Sequence, residues 1–202
     1  MNKSKGILFI ISGPSGVGKG TILAEVLKRL DDISVSVSVT TRKPRQGEID
    51  GVSYYFITDE QFDDLIKNDG LYEYVRTLDK AYGTPKQPVI DKLNQGKDVI
   101  LEIETFGAET IRKTTECVSI FIAPPSMSVL KSRLCERGTE TPEQIKKRLD
   151  KCVNEIDCIG YYDYVVINDV LSQCAEEVVG IITAERCKTF RNKTEIKTIK
   201  DS

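Results

Sequence analysis

The sequence contains no histidine. That absence removes the commonest general base and with it any Ser/His or Cys/His nucleophilic device, so hydrolases of that type are excluded. It also withholds the usual partner of cysteine in zinc sites. The six cysteines, Cys117, Cys135, Cys152, Cys158, Cys174 and Cys187, show no C-x-x-C pairing and are expected to be reduced, mostly buried thiols. Long apolar runs are missing too. The run from Ile7 to Ile11 follows two lysines but is too short for a signal-peptide core and stops at Ser12 and Gly13. No other stretch approaches the ~20 apolar residues a membrane helix needs, so a chain without membrane association, in the cytoplasm, is expected. Nor is there a broad field of one sign: 29 Lys and Arg face 31 Asp and Glu, a formal net charge of -2. A nucleic-acid polymer is therefore not expected as a partner, whereas a small anion at a local basic site is compatible with this balance.

What is present is a chain of 202 residues, 40% apolar and 30% charged, sufficient for one core and a small insert. Gly6 to Ile11 reads as a strand buried on both faces. Thr21 to Leu30 follows as an amphipathic helix closed by Asp31 and Asp32. Strand and helix then recur at Val99 to Ile103 and Ala108 to Lys113, Val118 to Ile122 and Met127 to Glu136, and Tyr164 to Ile167 and Ala175 to Cys187. This alternation predicts an α/β three-layer sandwich with a parallel core sheet. Between Ser34 and Asn94 the pattern changes to alternating stretches, Val35 to Val39 and Tyr54 to Ile57, broken by Pro44, Gly47, Gly51 and Gly83. It predicts a small mixed, partly antiparallel insert. The polar segment from Arg191 to Ser202 is expected to fray.

Gly13-Pro14-Ser15-Gly16-Val17-Gly18-Lys19-Gly20-Thr21 joins the first strand to the first helix, the context a P-loop requires. Its glycines let backbone N–H groups face phosphate oxygens, the helix N-terminus adds partial positive charge, and Lys19 adds a full one. A glycine-rich turn without a ligand is the plain alternative. Gly20 stands where a hydroxyl normally meets Mg²⁺, so Thr21 or metal-bound water must take part of that role, and Glu102, near a strand end, is a second candidate metal ligand. The loop implies a nucleoside triphosphate and leaves the acceptor open. Downstream, Arg42, Lys43 and Arg45 cluster beside Pro44 and Gly47, with Tyr54 and Tyr55 following. Arginine forks and tyrosine hydroxyls suit a monophosphate dianion; a solvated basic loop is the alternative.

Ser36-Val37-Ser38-Val39-Thr40-Thr41-Arg42-Lys43-Pro44-Arg45-Gln46-Gly47-Glu48, with Gly51 and Tyr54, resembles the guanylate kinase family. Glu73, Tyr82-Gly83-Thr84, Phe121 to Pro125, Arg137 to Glu140 and Val166 to Asp169 extend the resemblance over residues 6–169. It implies one domain over 1–202: a core at 1–33, 95–125 and 158–190, a GMP-binding insert at 34–94, a helical lid at 126–157 and a polar tail at 191–202. It implies transfer of a phosphoryl group from Mg-ATP to GMP or dGMP. Arg42, Arg45, Tyr54 and Tyr82 would hold the acceptor phosphate. Ser38, Glu73, Thr84 and Glu104 would face the base, where a carboxylate can accept from guanine N1–H and N2–H₂. The family usually carries Asp, then Trp-Gln or Met-Gln, where this chain has Glu104-Thr105-Phe106. Arg137 and Arg148 would reach the nucleotide phosphates on lid closure and, with Lys19 and Arg42, carry catalysis. Asn168 would touch adenine. In the lid, Arg133 and Arg137 share a helical face, Gly138 is a natural stop, and Thr141, Pro142 and Gln144 form a capping-box pattern that opens the helix bearing Arg148. Two alternatives stand beside this reading: a nucleoside monophosphate kinase of another base specificity, as the Gly-Lys-Gly-Thr ending also fits, and a catalytically silent binding module of the same family.

Overall fold

The computed structural model describes residues 5–77, 79–136 and 141–201. Strand β1 (Leu8–Ser12) is buried along its whole length, and its side chains divide by parity, as the pleat requires. Phe9 and Ile11 join a cluster with Ile22 and Val26 of α1 (Lys19–Leu27) and with Val178 and Ile182 of α7 (Leu171–Arg186). Leu8 and Ile10 point the other way, into a cluster with Val89 and Leu93 of α3 (Lys86–Asn94) and Ala108 and Ile111 of α4 (Thr105–Thr114). A strand in the middle of three layers is apolar on both faces because each face buries side chains at about 1.5–3 kcal/mol apiece.

β1 is flanked by β7 (Asp98–Glu102) and β8 (Val118–Ala123); β2 (Ile33–Val35) and β9 (Tyr164–Ile167) complete the parallel sheet in the order β2-β7-β1-β8-β9. The core sheet, its flanking helices and the smaller sheet agree with the expected α/β sandwich. That smaller sheet has the order β4-β3-β6-β5, from β3 (Val39–Thr40), β4 (Tyr55–Phe56), β5 (Leu71–Arg76) and β6 (Ala81–Pro85). β3 runs parallel to β4 and antiparallel to β6. Helix α2 (Asp59–Lys67), opened by a Thr58–Gln61 capping box, covers it with Phe62. After β8 come α5 (Met127–Glu136) and α6 (Pro142–Asp157), and α8 (Lys193–Asp201) closes the chain.

Several expectations need correction. The alternating stretch at 35–39 is not one strand: β2 pairs with β7 in the core sheet, and β3 starts the other sheet after Ser38. The smaller sheet therefore occupies a narrower span than 34–94, because α3 packs its Val89 and Leu93 into the core. Helix α1 begins at Lys19, two residues before the expected Thr21, and ends at Leu27. Residues 193–201 are helical rather than frayed. Only Cys152 and Cys174 are buried, while Cys135 and Cys187 are exposed; all six are free. Burial pushes the Cys117 and Cys174 thiols up to about 11, so they stay protonated and unreactive at neutral pH. No helix among the described residues is long and apolar enough to cross a membrane.

Candidate active site

Between β1 and α1 the chain turns through Gly13, Gly16 and Gly18, all at positive φ. At Gly13 the constraint is contact as well as φ: a Cβ there would lie 2.2 Å from the Ile122 carbonyl oxygen. Gly18, left-handed at the helix N-cap, supplies no side-chain cap to the first turn of α1. Those N–H groups and the helix dipole make the position receptive to an anion. Lys19 Nζ arcs back to donate to Gly13 O at 2.7 Å and Pro14 O at 3.4 Å. Burial lowers its pKa, opposed by Glu102, Glu155 and Glu104.

The loop surrounds a hollow of about 290 Å³ lined by Ser15, Gly16, Gly18, Lys19, Gly20, Thr21 and Glu102. Thr21 and Glu102 thus bring a hydroxyl and a carboxylate to the phosphate cradle. That hard-oxygen set fits Mg²⁺, which usually takes one or two carboxylates together with substrate phosphates and water. A Cβ on Gly20 would meet nothing within 4 Å, so its lack of a side chain is not a packing requirement. Behind the loop, the buried Asn168 donates from Nδ2 to Val17 O at 2.7 Å. Its own carbonyl accepts from Arg133 Nη2 at 3.0 Å. The side chain expected near adenine is therefore a brace of the phosphate loop. From α6, Arg148 Nη1 donates to Ser15 Oγ at 3.1 Å and Cys152 Sγ approaches Ser15 O at 3.9 Å. Three residues further along α6 the buried Glu155 has one carboxylate oxygen, Oε2, with no hydrogen-bond partner among the described residues, and burial raises its pKa.

On the smaller sheet Arg42, Tyr54 and Tyr82 come together. Arg42 Nε donates to Tyr82 Oη at 3.2 Å, its guanidinium lies 5.3 Å from the Tyr54 ring centroid, and the two tyrosine rings meet edge-on at 5.9 Å. Arg45 is exposed beside them. The register of β5 against β6 brings Glu73 near Thr84, whose hydroxyl donates to Glu73 Oε1 at 2.7 Å. Glu73 also lies against α4, where a Cβ on Gly107 would come within 3.1 Å of it. Burial raises the Glu73 pKa, the Thr84 hydrogen bond opposes that, and Glu104 adds to it. Glu104 is the N-cap residue of α4, is exposed, and pairs with Lys151 of α6 at 2.9 Å. Ser38 contributes a backbone contact, its carbonyl accepting from Tyr55 N at 2.8 Å. Arg137 and Gly138 lie outside the described residues.

Four residues of this neighbourhood are absent from the predicted site: Glu48, Arg133, Lys151 and Glu155. Glu48 was legible as a carboxylate within a basic turn. Arg148, Lys151 and Glu155 recur at helical spacing on α6, but nothing in that spacing says which elements they face.

A family model described as guanylate kinase matches residues 5–185. The guanylate kinase of Clostridioides difficile (strain 630) is 48% identical over 193 residues, covering 95% of this chain and 94% of that protein. The guanylate kinase of Clostridium perfringens (strain SM101 / Type A) is 44% identical over 206 residues, covering 100% and 95%. Among solved structures, the crystal structure of guanylate kinase from Anaplasma phagocytophilum superposes with a TM-score of 0.76 at 34% identity, covering 97% of this chain and 95% of that one.

Proposed function

The chain belongs to the guanylate kinase family, and from that premise we propose that it transfers the γ-phosphoryl group of ATP to GMP, giving ADP and GDP. The observation that carries this reading is the presence of two anion-receptive centres of different construction. One is the backbone and Lys19 cradle, and the other is the Arg42–Tyr54–Tyr82 cluster.

The loop from Gly13 to Thr21 takes the ATP phosphates. Lys19 leaves the Gly13 and Pro14 carbonyls and moves its charge onto phosphate oxygens, exchanging two neutral acceptors for an anionic one. Arg42, Arg45, Tyr54 and Tyr82 hold the GMP phosphate. Glu73 accepts from guanine N1–H and N2–H₂, Ser38 or Thr84 donates to O6, Thr84 by turning its one hydroxyl proton away from Glu73, and Glu104 lies at the same end of the site. Adenine offers an acceptor at N1, so it would leave Glu73 facing a lone pair in a partly buried place, a penalty of about 1–3 kcal/mol for each unpaired group.

A GMP phosphate oxygen attacks the γ-phosphorus in line, and the bond from that phosphorus to the β–γ bridging oxygen breaks with its electron pair remaining on ADP. No protein nucleophile is required. Lys19, Arg42, Arg137 and Arg148 align the two phosphates and offset their charge, which is most of what such a transfer needs. Thr21 and Glu102 would hold Mg²⁺, which supplies charge neutralisation at the phosphates when bound. Asn168, bracing Val17, keeps the loop in register for adenine binding nearby. The lid carrying α6 closes over both nucleotides and excludes water that would otherwise hydrolyse ATP. The reaction belongs to purine nucleotide metabolism in the cytoplasm.

A coupled assay of ADP formation tests this. GMP, and dGMP more weakly or equally, should support turnover, with AMP and UMP far behind. Lys19→Ala should lower kcat by at least about 100-fold, the scale of one lost transition-state charge contact. Preference for AMP, or an unaffected Lys19→Ala, would count decisively against the assignment.

A further inference from the structure

Glu48 is a carboxylate in the middle of a loop built to attract an anion. Its Oε2 accepts from Arg42 Nη1 at 2.8 Å and from the Arg45 backbone N–H at 2.7 Å, and its Oε1 accepts from Arg42 Nη2 at 2.8 Å. Arg42 also donates from Nη1 to Lys43 O at 2.8 Å and from Nε to Tyr82 Oη at 3.2 Å. Four of the five guanidinium N–H groups are thus engaged among the described residues, and one on Nη2 remains for an incoming oxygen. The plane is further fixed over the Tyr54 and Phe56 rings, at 5.3 and 5.7 Å. Because the Tyr82 oxygen accepts from Arg42, the Tyr82 proton is available to donate elsewhere.

Two roles suit such a carboxylate. As an internal competitor it would occupy the arginine fork until GMP displaced it. As a brace it would stay and fix the fork. The backbone decides between them. Glu48 Oε2 is shared with the Arg45 N–H, and the Glu48 N–H donates to Arg45 O at 3.1 Å, so the carboxylate is tied to its own turn as well as to Arg42. The side chains of Arg42 and Glu48 are only 13% and 21% exposed, which limits competition from water.

Resting on the reading of this loop as the acceptor-phosphate site, we propose that Glu48 is a positioning residue: it holds Arg42 so that one Nη2–H and the Tyr82 hydroxyl converge on the GMP phosphate. The site gives up net positive charge in return for a fixed geometry, and a fixed geometry is what in-line transfer demands.

Steady-state kinetics of the wild type, Glu48→Gln, Tyr82→Phe and the double variant test this. Glu48→Gln should raise KM for GMP about tenfold or more, with KM for ATP changed less than about twofold. In the Tyr82→Phe background the same substitution should have a clearly smaller effect, because the two act through one guanidinium. Wild-type turnover with an unchanged or lowered KM in Glu48→Gln, or full additivity with Tyr82→Phe, overturns the proposal alone. Absence of GMP phosphorylation by the wild type overturns the parent reading and the proposal with it. Should Glu48→Gln fail to fold, Glu48→Asp keeps the charge and shortens its reach; it should show the same split in smaller measure, and an unchanged or lowered KM there overturns the proposal equally.

Discussion

Glu73 shows how one side chain carries two opposed pH dependences. Burial raises its pKa, so the ionised form is disfavoured on folding. For an acid shifted upward, ionisation costs stability above the raised pKa, and stability returns as pH falls through that value toward the unfolded one. Guanine binding runs the other way, since only the carboxylate can accept both N1–H and N2–H₂. The dissociation constant for GMP should therefore rise as pH falls from neutrality toward the raised Glu73 pKa, beginning above the ordinary glutamate range. Glu73→Gln should flatten that profile and raise KM for GMP about tenfold while leaving KM for ATP nearly unchanged, because its acid is not part of the phosphate cradle. Titration calorimetry across that pH range is the check. An unaltered profile in the variant would assign the dependence to another group.

Among secondary-structure elements, what was legible depended on how local the determinants are. The phosphate loop could be read because glycines, lysine and helix start are contiguous, and the capping box at Thr141 and Gln144 because both of its hydrogen bonds lie within three residues. The division of residues 33–40 between two sheets could not be read. Alternation specifies which face of a strand is apolar, and it is silent about which distant strand, β7 or β6, supplies the ladder. The helix at 193–201 is hard to read for the converse reason: its residues are mostly polar, and a polar chain end looks the same whether it frays or coils. Local determinants also make a sharp prediction for α6. Thr141→Ala removes the acceptor of the Gln144 N–H and should cost about 1 kcal/mol. The loss should appear as roughly fivefold weaker hydrogen-exchange protection in the first turn of α6, with the core strands β1 and β8 unchanged. Equal loss throughout the domain would mean that α6 does not open independently of the core.

At the scale of the whole molecule, α6 touches both proposed nucleotide sites. Arg148 and Cys152 hold Ser15 of the phosphate loop, while Lys151, on the same helix, reaches Glu104 beside the acceptor base. Residues 148–152 span little more than one turn of α6, so a displacement at one contact is carried by a rigid stretch of helix to the other, and any resulting coupling between ATP and GMP must be reciprocal. The Lys151–Glu104 pair is more than half exposed on both sides, so as an ion pair it should add less than about 1 kcal/mol to stability. Its importance lies in where it attaches. Lys151→Met should leave the unfolding free energy nearly unchanged, yet bring the factor by which GMP alters the affinity for a non-hydrolysable ATP analogue closer to one, and the reverse factor by the same amount. Calorimetric titrations of each ligand with and without the other measure both factors. Retention of the full coupling in Lys151→Met would show that the two sites communicate through the core sheet, whose β7 carries Glu102 to the phosphate loop and leads directly into Glu104.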